Sequence, residues 1–433
     1  MYYGGAWACH DSAGRRVTEV KGDRTGTVLM LAALLVACGG GESRWAGTIT
    51  DSAGVMIVSN PAVGIWTDAD RWTVEEELRI GVREGDPEYQ FGEIIGITVD
   101  SHGRIFVLDW QAQHIKVFSP EGVYEQSIGG RGGGPGELLD AVFIAMGMAD
   151  TLLVAEVRGN RRVNRYAPDG SSLGSYRIPF AERFALLIRS SPSGEVAAWV
   201  RPFAMPGQPE PEKIDRILVL SPAGTVTDTL LTFPSGETFS QGGPSFSVML
   251  FAPEPAWDIT EDSKLLFGVN DRYRIGLYAF GKLERVIEKP FERKSIPDGD
   301  RQFHLGRLTP RGRELTRLFP FYPAFNDIIA GPNGTIWVQY FRPVSELSDT
   351  ERETLGMMAQ VDRIIITQRD FHGAPDWDVF DAEGRYLGVL TMPPRFVPRL
   401  IRGDKIYGIQ RDEFNVEYVV RLRIVGDLGA GAT

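Results

Sequence analysis

A four-residue turn ending in glycine recurs along this chain, set between segments that alternate or run apolar as β-strands do. It occurs as "DSHG" at Asp100, "SPEG" at Ser119, "APDG" at Ala167, "SPSG" at Ser191, "SPAG" at Ser221, "GPNG" at Gly331 and "DAEG" at Asp381, with "DSAG" at Asp51 ahead of them. Proline suits the second position because its φ is preset, and glycine suits the last because it tolerates positive φ. Flanking runs such as "RIFVLD", "TLLVAE", "TIWVQY" and "KIYGIQ" have the strand signature.

Grouped by these turns, the chain divides into six units of four strands. They cover residues 96–128, 142–178, 186–233, 257–289, 325–392 and 398–425. Repeats of roughly 40–50 residues built from antiparallel strands predict an all-β fold, a six-bladed β-propeller. The last unit stops after three strands. "WTVEEELRIG", from Trp72, precedes the first unit and supplies the missing outer strand. The chain ends then share one blade, which closes the ring and removes sheet edges. A solenoid is the structural rival, but it would not leave complementary partial units at both ends.

The stretches "GGRGGGPGEL", "GITVDSHGRIFVLD" and "HIKVFSPEGVY" resemble NHL-like six-bladed propellers, particularly bacterial lipoproteins carrying that domain. "DSAGVMIV", from Asp51, also resembles the lipoprotein set. The resemblance is sharp over 72–178 and looser over 186–425. Units two and four depart from it, since "GMADTLLV" and "TEDSKLLF" lack the turn glycine. It implies a fold and supplies no reaction.

The N-terminus carries a separate signal. Lys21 and Arg24 precede the apolar run Val28–Ala37, which ends at Cys38. Ten residues are too few to span a bilayer, which takes about 20, and the order of charge, apolar run and small residues is that of a signal peptide. "LVAC" resembles a bacterial lipobox, which implies cleavage before Cys38 and lipidation of it. The expected organisation is a signal peptide over 1–37, a lipidated cysteine with tether and hairpin over 38–71, the propeller over 72–425 and a tail over 426–433. Residues 1–20 fit a signal poorly, and Val17 is an alternative start. Gly39, rather than Asp, follows the cysteine, so the expected location is the cell envelope, at the outer membrane or facing the periplasm. Of the two cysteines, Cys9 is lost with the signal, so the mature chain keeps no pair for a disulfide. Its 42 basic and 54 acidic residues leave a net charge of −12, which argues against nucleic acid as a partner.

Six of the ten residues from Gly129 to Leu138 are glycine. This is no phosphate loop. Pro135 and Gly136 stand where a Walker motif needs Lys and Ser or Thr, and "LLDAVFIAMG" reads as a strand where a helix is required. The segment is a blade-to-blade connector. Strand direction then sorts the loops. Turns joining strands one to two and three to four share one face and are tight. Connections two to three and blade to blade share the other, and all long insertions fall there: 201–215, 234–257, 290–325 and 341–377. Long loops on a rigid scaffold are where binding resides.

Arg131, Phe246, Trp257 and Tyr322 are the candidate ligand-binding residues of that face, with packing of the insertions as the plainer account of its aromatics. No catalytic residues and no cofactor are assigned. The enzymatic alternative is a calcium-dependent lactonase- or esterase-like hydrolase, since the architecture resembles gluconolactonase-like and strictosidine-synthase-like propellers. Its channel metal would need Asp258, Asn326 and Asp327, fewer than the 6–8 oxygens calcium takes. "SELSDTERETLGMMAQ", from Ser345, predicts an amphipathic helix capped by Ser348. The expectation is a lipid-anchored propeller that binds a protein or peptide ligand, with the hydrolase and a purely structural scaffold as rivals.

Overall fold

The computed structural model describes residues 44–428, apart from 157–160, 178–182, 191–195, 203–211, 222, 236–247, 307, 315 and 359–371. Six antiparallel four-stranded blades form a ring, five as separate sheets and one within a six-stranded sheet. Blade 1 contains Ile94–Val99, Ile105–Asp109, His114–Phe118 and Tyr124–Gly129. Blade 2 contains Ala141–Met146, Leu152–Glu156, Arg162–Tyr166 and Ser172–Arg177. Blade 3 contains Arg183–Ser190, Val196–Pro202, Ile214–Leu220 and Val226–Pro234. Blade 4 contains Pro255–Ile259, Leu265–Val269, Arg274–Ala279 and Lys282–Glu288. Blade 5 contains Ile328–Ala330, Ile336–Phe341, Gly373–Phe380 and Tyr386–Thr391. Blade 6 takes Phe396–Arg402, Lys405–Arg411 and Glu417–Val425 from the C-terminal end and Thr73–Ile80 from the N-terminal end. The shared blade closes the ring as the partial units require, with Val425 opposite Thr73 and Val419 opposite Ile80.

Cohesion comes from six apolar clusters, one at each interface between neighbouring blades. Second strands are buried on both faces, which is why "IFVLD" and "LLVAE" read as continuous apolar runs. The outer strand of blade 1 has one solvated face and alternates. Close approach between inner strands explains Gly96, where a Cβ would lie 2.5 Å from Ile144 Cγ2 of the next blade.

The two units without turn glycine keep the turn. Ser263 in blade 4 and Ala149 and Asp150 in blade 2 adopt positive φ themselves. Asp tolerates that region better than most residues because its short side chain can hydrogen-bond locally.

The segment before the ring runs along its rim. Thr48–Ser52 and Val55–Ser59 form a hairpin, and the second strand pairs in parallel with the outer strand of blade 4, so that sheet has six strands. Asn60 then bridges to blade 5. Its side chain donates to Gly384 O at 3.0 Å and accepts the Tyr386 N–H at 2.7 Å. The Ile65 and Trp66 amides donate to Tyr386 and Leu387. Trp72 inserts beside Trp337 in the cluster between blades 5 and 6. The strap thus crosses the edges of blades 4 and 5 before it becomes the edge of blade 6.

Candidate functional site on the insertion face

Buried polar side chains near the ends of second strands pin the connectors of this face. Asp109 accepts the Gly92 and Ala112 amides at 2.8 and 3.0 Å. Asn270 accepts the Glu254 amide at 2.8 Å. Glu156, fully buried, holds Arg162 at 3.2 Å, and Arg162 donates to the carbonyls of Gly134 and Glu137 in the glycine connector. That connector is therefore a stitched loop. Its glycines at 132 and 134 lie where a Cβ would strike the Glu137 carboxylate.

Three insertions meet over blades 4 and 5. Phe251 is at the centre, with ring centroids of His304, His372, Tyr322 and Phe341 4.9 to 5.7 Å away. His372 stacks on Phe341 at 5.0 Å. The Tyr322 hydroxyl donates to buried Asp300, in the helix Asp298–Gly306. Burial, that hydrogen bond and the Asp300 charge all push the Tyr322 phenol up. A small core of Val344, Leu347 and Leu355, with Phe303 against it, joins two of the insertions.

The helix Asp349–Met358 begins with a reciprocal cap. Ser348 Oγ accepts the Glu351 amide at 3.3 Å, and Glu351 accepts the Ser348 amide at 2.9 Å. Arg342 pairs with Glu351 at 2.7 Å. Burial raises the Glu351 carboxyl, but the Ser348 bonds and Arg342 outweigh it and hold the group below its ordinary range. Asn415 of blade 6 donates to Thr354 at 2.8 Å and ties the helix to the ring.

The candidate binding residues do not form one cluster. Arg131 is exposed on the connector between blades 1 and 2 and donates to Gln111 O at 2.6 Å. Tyr322 lies across the ring, buried in the insertion cluster. Trp257 is 0% exposed and packs with Trp199, Phe233 and Phe267 between blades 3 and 4, so its indole is core and is not at a surface. Phe246 and Cys38 lie outside the described residues.

The three candidate metal ligands are also engaged elsewhere. Asp258 accepts the Ala330 amide at 3.0 Å and pairs with Arg189 at 3.8 Å. Burial pushes its carboxyl up, Arg189 opposes this, and the Asp327 charge adds to the rise, so the two carboxylates feel one another. The Asn326 carboxamide donates to Gln339 Oε1 at 2.7 Å. Asp327 accepts the Ile328 amide at 2.9 Å. A calcium ion would have to compete with the Arg189 guanidinium for Asp258.

Two groupings had no signal in the sequence. Asp378, fully buried, accepts from Tyr273 at 2.6 Å, Lys289 at 2.7 Å and Tyr340 at 2.8 Å. Lys289 Nζ also lies 3.9 Å from the Tyr386 ring centre. Burial, then the Asp378 charge, raise the phenols of Tyr273, Tyr340 and Tyr386. This strut joins blades 4 and 5 beneath the insertions. Among the described residues, Asp100, His102 and Asp150 have ligand atoms within 4.8 Å of one another, on the tight-turn face. There Asp100 is held by Arg104 at 2.7 Å and Asp150 by Ser101 at 2.6 Å.

A family model described as a 6-bladed beta-propeller (DUF5128) matches residues 85–181, which span blades 1 and 2. No curated protein matches the sequence. Among solved structures, a DUF4221 family member from Bacteroides vulgatus has a TM-score of 0.51 at 13% identity, over 83% of this chain and 100% of that one. A candidate exported protein from Bacteroides fragilis has 0.49 at 11%, over 85% and 99%. Virginiamycin B lyase from Staphylococcus aureus has 0.41 at 13%, over 82% and 100%. Likeness at these identities speaks to fold alone. The ring closure, the six interface cores and the family model together make this chain a six-bladed β-propeller.

Proposed function

We propose that the protein is a lipid-anchored propeller of the cell envelope that binds a protein or peptide on its insertion face. The observation that carries this reading is the asymmetry of the ring. Insertions of blades 4 and 5 build a packed, capped platform on one face, while among the described residues the other face has only short turns. The resemblance of "LVAC", ending at Cys38, to a lipobox supports the anchor. The engagement of Asp258 by Arg189 favours the binder over the calcium-dependent hydrolase.

Thermal unfolding in calcium and in EDTA tests the choice. An ion held by the folded state raises stability by mass action. The proposal expects the same melting temperature in both. A rise with calcium, lost in the Asp258→Ala/Asp327→Ala double variant, would overturn it in favour of the hydrolase. Mass spectrometry of the native N-terminus tests the anchor, with an acylated Cys38 as the expected result.

A further inference from the structure

The geometry points to the tight-turn face as a membrane-contacting surface, led by Phe280, which sets the propeller on the leaflet with its insertions directed away. This inference rests on the lipid anchor proposed above.

Phe280 is the clearest sign. It occupies the two-residue hairpin between the last two strands of blade 4, where Ala279 pairs with Lys282. Both central residues have positive φ, +48 at Phe280 and +72 at Gly281. Such a turn favours Asn or Gly at the first position, and a bulky side chain there is strained. Yet this phenyl ring is 98% exposed. A strained, solvent-exposed aromatic gains nothing from the fold, which makes it a mark of function. Val123, Met148, Leu173 and Val226, all exposed, sit in or beside tight turns of the same face on blades 1 to 3.

The chain path supplies the occupant. Trp45 Nε1 donates to Asn60 Oδ1 at 3.0 Å, and Asn60 is bound to the Asp381–Gly384 turn region of blade 5. The Asn60 amide also donates to Glu288 O at 2.9 Å, at the end of blade 4's outer strand, so the first described residues enter at the outer rim between blades 4 and 5, beside the tight Asp381–Gly384 turn. Cys38 precedes Arg44 by six residues, a reach of about 20 Å at full extension. An acyl chain on so short a leash holds this rim close to the bilayer. A diacylated anchor already provides affinity, so the role left for exposed turn residues is orientation. Glu121, Asp150 and Asp169 lie in the same turns, so the surface fits neutral headgroups better than an anionic leaflet.

The test uses the mature chain, which has no cysteine besides Cys38. A hexahistidine tag replacing residues 1–38 is docked on nickel-chelating phosphatidylcholine vesicles carrying nitroxide lipids. An environment-sensitive fluorophore is placed at F280C or, as control, at E353C on the exposed side of the insertion helix. The expected result is at least threefold stronger lipid quenching and a blue shift at position 280, with position 353 unquenched. Equal quenching at both positions, or stronger quenching at 353, would overturn the orientation. An acyl-free native N-terminus, read separately by mass spectrometry, would overturn the anchor, so the two failures are distinguishable.

Discussion

The Asp100–Gly103 turn and the 290–325 insertion do the same job, returning the chain into the ring, by opposite means. The turn is closed by its own residues. Asp100 accepts the His102 and Arg104 amides at 3.0 and 2.8 Å, and Gly103 supplies a φ of +83. The same device recurs at Asp381, whose carboxylate accepts the Glu383 and Arg385 amides. The insertion instead depends on distant partners. Tyr322 needs Asp300, Phe251 needs His304 and His372, and Phe303 packs against residues some 40 positions further on. The tight turns set their own geometry and are tied to neighbouring blades by hydrogen bonds, as Ser101 is to Asp150 at 2.6 Å and Arg104 to Pro168 O at 3.0 Å. The insertion face is assembled from several segments and tied to the ring at points such as Asn415 and Thr354.

The largest expected effect tests whether the ring itself, independent of either face, is one cooperative unit. Deleting residues 73–80 removes the outer strand of blade 6 and opens two edges. The variant should aggregate and lose its cooperative melting transition. A monomer with unchanged melting would contradict closure. Next is the strut beneath the platform. Asp378→Ala leaves Lys289 buried without its carboxylate and should cost about 3–5 kcal/mol in denaturant unfolding. Asp378→Asn keeps an acceptor and should cost less. Within the platform, Tyr322→Phe removes the phenol that donates to Asp300, leaving it the longer Ser345 contacts at 3.4 and 3.5 Å, and should cost about 1–2 kcal/mol. A comparable loss from a change at Asp169, in a tight turn, would erase the distinction between the faces.

In the channel, burial keeps Asp258 protonated to higher pH than in the unfolded chain. The folded state therefore binds more protons, and stability falls as pH rises above about 4 through the raised folded value. Asp258→Asn should flatten that part of the stability profile. The smallest effect belongs to the tight-turn face. Phe280→Asn relieves a positive-φ phenylalanine and should stabilise by about 0.5 kcal/mol, with unchanged spectra.

The same contrast explains what the sequence made legible. Blade boundaries were readable because turn glycines and strand alternation are local. The helix cap at Ser348 was readable because a capping box lies within four residues. Units two and four show the limit, since Asp150 and Ser263 take positive φ without a glycine to announce it. Trp257 shows another. Its position at the end of an insertion made it a candidate binding residue, yet the inner strand of blade 4 begins at Pro255 and takes the indole into the core. The Asp378 strut was invisible because Tyr273, Lys289, Tyr340 and Asp378 come from two blades and share no spacing. Nor does periodicity reveal that the segment before Trp72 runs as a strap over blades 4 and 5.

The claim that function resides on the insertion face is tested most directly by photo-crosslinking in intact cells. A photoreactive phenylalanine is placed at Arg131 or Phe291 on the insertion face and, for comparison, at Asp169 on the tight-turn face. The account predicts a discrete protein adduct from the first two positions and none from the third. Protein adducts from Asp169, with none from Arg131 or Phe291, would contradict it.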